Sequence, residues 1–142
     1  MANIVELREM SDEKLEEMLE NAREEIFNLR FRKASGQLED YSRLKEARRE
    51  IAQLETVLHM RQLAIDTAVS EPAIASVLAG KEWEASAAFD YEESAWQVAF
   101  ADEDGNDLAS AAVNLNKKQN MSKRQEQQKG RPKLVISYEI AE

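Results

Sequence analysis

Two amphipathic stripes joined by a short turn constrain this chain more than any other feature of its sequence. From Leu15, the apolar positions Met18, Leu19, Ala22, Ile26 and Leu29 recur at spacings of three and four, while Glu16, Glu17, Glu20, Glu24 and Glu25 cover the remaining surface. Ser11 followed by Asp12 and Glu13 marks the start: a serine hydroxyl takes up an orphan backbone amide, and early carboxylates complement the helix dipole. Ile4 and Leu7 form an apolar lead-in. The pattern runs out near Lys33, where Ala34-Ser35-Gly36-Gln37 supplies the small, permissive residues of a turn. A second stripe resumes at about Leu38 and continues through Leu44, Ala47, Ile51, Leu54 and Leu58 to about Leu63. Arms so closely linked must fold back antiparallel, giving a helical hairpin with one seam and little core of its own.

Beyond the hairpin the period changes. Ser70-Glu71-Pro72 predicts a short helix with Ile74, Val77 and Leu78 on one face and Gly80 at its end. From Trp83 the period is two: Ala85, Ala87, Phe89 and Tyr91; Trp96, Val98 and Phe100; Ala111, Val113 and Leu115; Leu134, Ile136, Tyr138 and Ile140. The expected fold class is therefore mainly α, an antiparallel two-helix hairpin over residues 1–65, followed by an acidic β-rich module over 66–142 with a short helix and a four-stranded antiparallel meander. Asp104-Gly105 is a hairpin signal between the second and third strands. The polar, basic, aperiodic segment 116–132 reads as a mobile loop.

Charge is arranged in blocks. The 142 residues carry a formal net charge of −9, yet residues 66–116 hold −10 of it and residues 117–142 hold +4. Within the hairpin, residues 1–29 sum to −6 and residues 30–65 to +3. A polyanion should therefore meet the turn and the second arm. Arg30, Arg32 and Lys33 lie just before the turn, and Arg43, Lys45, Arg48 and Arg49 lie in the first turns after it. The guanidinium fork matches phosphate oxygens in pairs, which suits a shape-reader of folded RNA.

Catalytic equipment is not evident. The absence of cysteine excludes disulfides, thiolate metal sites and thiol nucleophiles. His59 has no second histidine to share a metal and reads as a helix-surface residue. Asp102–Asp107 lacks the length and distant glutamate of a calcium loop, and Asp90, Glu92 and Glu93 come with no pocket signal. No catalytic or metal residue, cofactor, small-molecule substrate or membrane span is expected, and the chain reads as cytoplasmic.

Several of these residues also stand in a familiar arrangement. Glu6-Leu7-Arg8, Ser11 with Leu15, Phe27-Asn28-Leu29-Arg30 leading into Ala34-Ser35-Gly36-Gln37-Leu38, and Arg48-Arg49-Glu50-Ile51-Ala52 with Thr56 resemble the large-ribosomal-subunit protein L-twenty-nine family over residues 4–63. The resemblance implies a non-enzymatic constituent of the ribosome that binds large-subunit ribosomal RNA near the polypeptide exit tunnel and supports translation. It implies protein L-twenty-three as a neighbour and admits nascent-chain factors at the tunnel exit as partners. By position, RNA contact would fall to Arg30, Arg32, Lys33, Gln37, Arg43, Lys45, Arg48 and Arg49. Gln53 stands where the family places arginine, and Glu55 where many members carry lysine, implying a weaker grip on RNA at mid-helix. The competing expectation is a coiled-coil protein–protein adaptor carrying an acidic β-module.

Overall fold

The computed structural model describes residues 3–115 and 134–141 and divides into two compact units, Met1–Met60 and Arg61–Glu142. The expected loop at 116–132 lies outside the described residues.

The first unit begins with a helix where the sequence suggested only a lead-in. In α1 (Ile4–Glu9), Asn3 forms a capping box: its side chain accepts from the Val5 amide at 3.1 Å and its own amide donates to Glu6 Oε2 at 3.2 Å. Glu6 at the third helical position is the cue for this box. Helix α2 (Asp12–Ala34) starts at the expected serine, with Ser11 Oγ accepting from the Lys14 amide at 3.3 Å.

The connection to α3 (Ser42–Val69) occupies residues 35–41 rather than four residues. Its first half is a Schellman cap: Gly36 takes φ 74°, its amide donates to Lys33 O, and the Gln37 amide reaches back to Arg32 O at 2.8 Å. Its second half is held by Asp40, whose Oδ1 accepts from the Ser42 amide at 2.9 Å and the Ser42 hydroxyl at 2.6 Å. The second helix therefore starts at Ser42, not Leu38. Leu38 is a buried loop residue that closes the end of the seam.

The seam holds two clusters. Leu7, Leu15, Leu19 and Ala22 pack with Leu54 and Val57; Ile26, Leu29 and Leu38 pack with Leu44 and Ala47; half-buried Ile51 touches both. The expected α2 stripe is present, with Met18 at its margin. On α3, Val57 lies deeper than Leu58. At about 1.5 Å per residue, the 23 residues of α2 extend about 35 Å.

In the second unit, α4 (Pro72–Leu78) has proline in its first turn, and Gly80 follows it with φ 73°. Four strands follow: β1 (Glu84–Asp90), β2 (Ala95–Ala101), β3 (Asp107–Val113) and β4 (Val135–Ile140). They form one antiparallel sheet in the order β1-β2-β3-β4. Register places Ala87, Val98, Ala111 and Tyr138 in a row across one face, and Phe89 beside Trp96 and Val113. Trp96, Val98, Phe100 and Val113 are almost wholly buried, and edge-on ring contacts join Trp83 to Phe100 and Phe89 to Trp96. Helix α4 lies against β3 and β4 with Ile74 and Leu78 buried, giving this alanine-rich sheet its helical cover. Asp102 organises the β2–β3 turn by accepting from the Asp104 and Asn106 amides, with Gly105 at φ 86°.

Candidate nucleic-acid interface

Helical periodicity turns the basic sequence of the second arm into a face. Leu44, Ala47, Leu54 and Val57 point into the seam, so Lys45, Arg48, Arg49, Ala52, Thr56 and His59, spaced at three and four, occupy the opposite side. All six are exposed. Ala52 and Thr56 are small, and the Thr56 hydroxyl is turned onto the helix, donating to Ala52 O at 2.6 Å. Cations thus stand on an otherwise low surface that a phosphate backbone can approach closely.

The eight residues expected to contact RNA are all exposed, but they fall into separate places. Lys45, Arg48 and Arg49 share the outer face of α3. Arg32, Gln37 and Arg43 line one groove beside the connection, together with Leu38, Glu39 and Asp40. Arg30 stands on the flank of α2, and Lys33 reaches 5.9 Å from the ring centre of Tyr41, within cation–π range. Tyr41 was missed by the sequence reading because it belongs to neither stripe. Its signal would have been an aromatic residue beside the helix start.

Ion pairing separates these cations further. Arg43 Nη2 lies 3.5 Å from Glu25, whereas no ion pair among the described residues engages Arg30, Arg32, Lys45, Arg48 or Arg49. Glu55, at the edge of the outer face, accepts from Arg23 Nη2 across the hairpin at 2.8 Å. Its charge is compensated from the other arm, which offsets the repulsion expected of an unpaired carboxylate. Gln53 is half-buried with its Oε1 enclosed, so it does not interrupt the outward cations.

Among the described residues no group of histidine and carboxylate side chains could hold a metal ion, and no helix is long and apolar enough to cross a membrane. The arrangement can hold a polyanion.

Comparison with known proteins agrees in extent with the hairpin. A family profile described as Ribosomal L29 protein matches residues 5–61. The chain is similar to the large ribosomal subunit protein uL29 of Streptomyces griseus subsp. griseus, 51% identical over 65 residues that cover 46% of this chain and 88% of the relative. It is also similar to uL29 of Mycobacterium tuberculosis, 52% identical over 62 residues covering 44% of this chain and 80% of that protein. The four-stranded sheet lies beyond the matched residues. No solved structure gives a significant match.

Proposed function

The chain belongs to the Ribosomal L29 protein family, whose members are structural constituents of the large ribosomal subunit and not enzymes, and from that premise we propose that it binds ribosomal RNA near the polypeptide exit tunnel through the connection and the outer face of α3. The observation that carries this reading is the alignment of unpaired, exposed Lys45, Arg48 and Arg49 on one helix face away from the seam. Counterion release from phosphates drives such binding, with guanidinium forks fixing orientation. Arg32, Gln37 and Arg43 add a second contact at the connection, and Arg30 and Lys33 extend it around the hairpin end.

Residues 1–65 form the ribosome-binding part in this reading, with protein L-twenty-three and tunnel-exit factors as neighbours. The strongly acidic 66–116 block is repelled by RNA and faces solvent or a basic protein. Co-sedimentation of the full chain with large subunits in high salt tests the assignment. The protein should remain on the particle. Release into the supernatant would favour the adaptor reading.

A further inference from the structure

The four-stranded sheet has two open edges among the described residues, and they differ in kind. Strand β1 carries Glu84 and Asp90 at its ends with mostly small side chains between them, a charged edge of the sort that discourages pairing. Strand β4 carries a single charge, Glu139, and leaves Ile136, Tyr138 and Ile140 54%, 43% and 41% exposed. Its backbone is also available. The Ala141 amide donates to Leu108 O at 3.0 Å, so by the alternation of an antiparallel ladder the backbone of Glu139 also faces β3, while the amides and carbonyls of Tyr138 and Ile140 point to the open side.

A hollow of about 240 Å³ lies beside this edge, on the face of the sheet opposite Val98 and Phe100. Ala99 and Ser110 give it a low floor, and Asp107 and Glu139 stand at its walls. Asp107 reaches this face through a bulge. Phe100 pairs with Ala109 but Ala101 pairs with Asp107, so Leu108 is the extra residue and Asp107 turns to the side of Ala99 and Ala101.

We propose that β4 receives an extended basic segment of a partner protein as a fifth strand. The partner's main chain pairs with Tyr138 and Ile140, and its apolar side chains cover theirs. On the opposite face a lysine or arginine crosses one strand spacing, about 4.8 Å, to lie between Asp107 and Glu139. Charge selects among the occupants. A phosphate backbone would meet these two carboxylates and the −10 of residues 66–116. A second copy pairing through its own β4 brings Glu139 and no cation, because the cations of the 117–142 block all precede that strand. A strand of alternating basic and apolar residues satisfies both faces at once, the main-chain ladder supplying affinity and the hollow selecting the side chain.

The test uses the full chain and a fluorescein-labelled peptide of alternating arginine and valine, with fluorescence anisotropy for affinity and amide exchange by NMR to locate the contact. The Tyr138 and Ile140 amides should exchange fast in the free chain and at least tenfold more slowly with the peptide. Asp107→Asn with Glu139→Gln should weaken binding at least tenfold and leave melting unchanged, since both carboxylates are exposed. Binding that leaves the two amides unprotected overturns the proposal, as does no binding, or equal binding by the double variant or by a glutamate–valine peptide. Protection of the same amides by polyuridylate, or by raising the concentration of the chain alone, gives the edge to RNA or to a second copy and overturns it as well. The edge belongs to the second unit, so its failure leaves RNA binding by the hairpin to be decided by its own tests.

Discussion

Arg23 on α2 donates through Nη2 to Oε1 of Glu55 on α3 at 2.8 Å, a bond that spans the two arms of the hairpin and compensates a carboxylate bordering its basic face. Both side chains are more than half exposed, so the pair contributes at most about 1 kcal/mol to folding. Its larger consequence is electrostatic. Glu55→Gln should leave the melting temperature nearly unchanged, whereas Glu55→Lys should tighten RNA binding and steepen its logarithmic salt dependence by about one unit. Filter binding across a salt series measures both. A weaker complex with the lysine variant would show that this edge does not face phosphate.

Burial distinguishes two seam residues that the sequence treats alike. Leu29 is 2% exposed and enclosed by Ile26, Leu38, Leu44 and Ala47, while Ile51 is half-buried between the two clusters. Leu29→Ala should cost about 2–4 kcal/mol and Ile51→Ala less, about 1–2 kcal/mol. Chemical denaturation followed by circular dichroism gives the order, and a larger loss at Ile51 would contradict the packing described.

The enclosed Oε1 of Gln53 has no hydrogen-bond partner among the described residues. Replacing the amide with a thioether of similar length removes that unsatisfied acceptor, so Gln53→Met should stabilise the protein by about 1 kcal/mol. An unchanged or lowered denaturation midpoint would show that this oxygen is satisfied in solution.

Acid should act in opposite senses on two turn carboxylates, Asp40 and Glu103. Hydrogen bonds from the Ser42 hydroxyl and amide hold the Asp40 carboxyl below its ordinary value of 3.8. Its contribution is therefore present above that value and lost as pH falls through the lower folded value. Glu103 is pushed above its ordinary 4.5, first by a hydrogen bond shared with Glu82 and also by the nearby charges of Glu84 and Asp102. Its contribution is present below 4.5 and lost as pH rises through the raised folded value. Asp102 in the same turn is held below its ordinary 3.8, first by the Asn106 amide, so its contribution is lost as pH falls through the lower folded value. Amide exchange measured as pH falls from 5 toward 3 should therefore show Ser42, Asp104 and Asn106 losing protection. Asp40→Asn should abolish the first effect.

Elements set by periodicity were legible in the sequence. The stripe from Leu15 to Leu29 and the alternation around Trp96, Val98 and Phe100 require only spacing, and the structure has both. The features that were not legible depend on side-chain capping and on faces. Asp40 delays the second helix to Ser42, and the Asn3–Glu6 box makes a helix of the lead-in, because local hydrogen bonds override the apolar pattern at termini. The clustering of basic residues near the turn was visible, but their division was not: Arg43 faces Glu25 while Arg48 and Arg49 stand outward on α3. Phe27 and Phe31 already fell outside the α2 stripe, which was the available sign that they face outward.

The central claim, that the outer face of α3 grips ribosomal RNA, is tested most directly by the salt dependence of RNA binding in the full chain carrying Arg48→Ala and Arg49→Ala. Both side chains are exposed and off the seam, so helix content and melting should be unchanged. Affinity for large-subunit ribosomal RNA should fall, and the slope of log affinity against log salt should become shallower by about two units, close to one per lost phosphate contact. A variant that folds normally and binds with the affinity and slope of the parent would contradict the account.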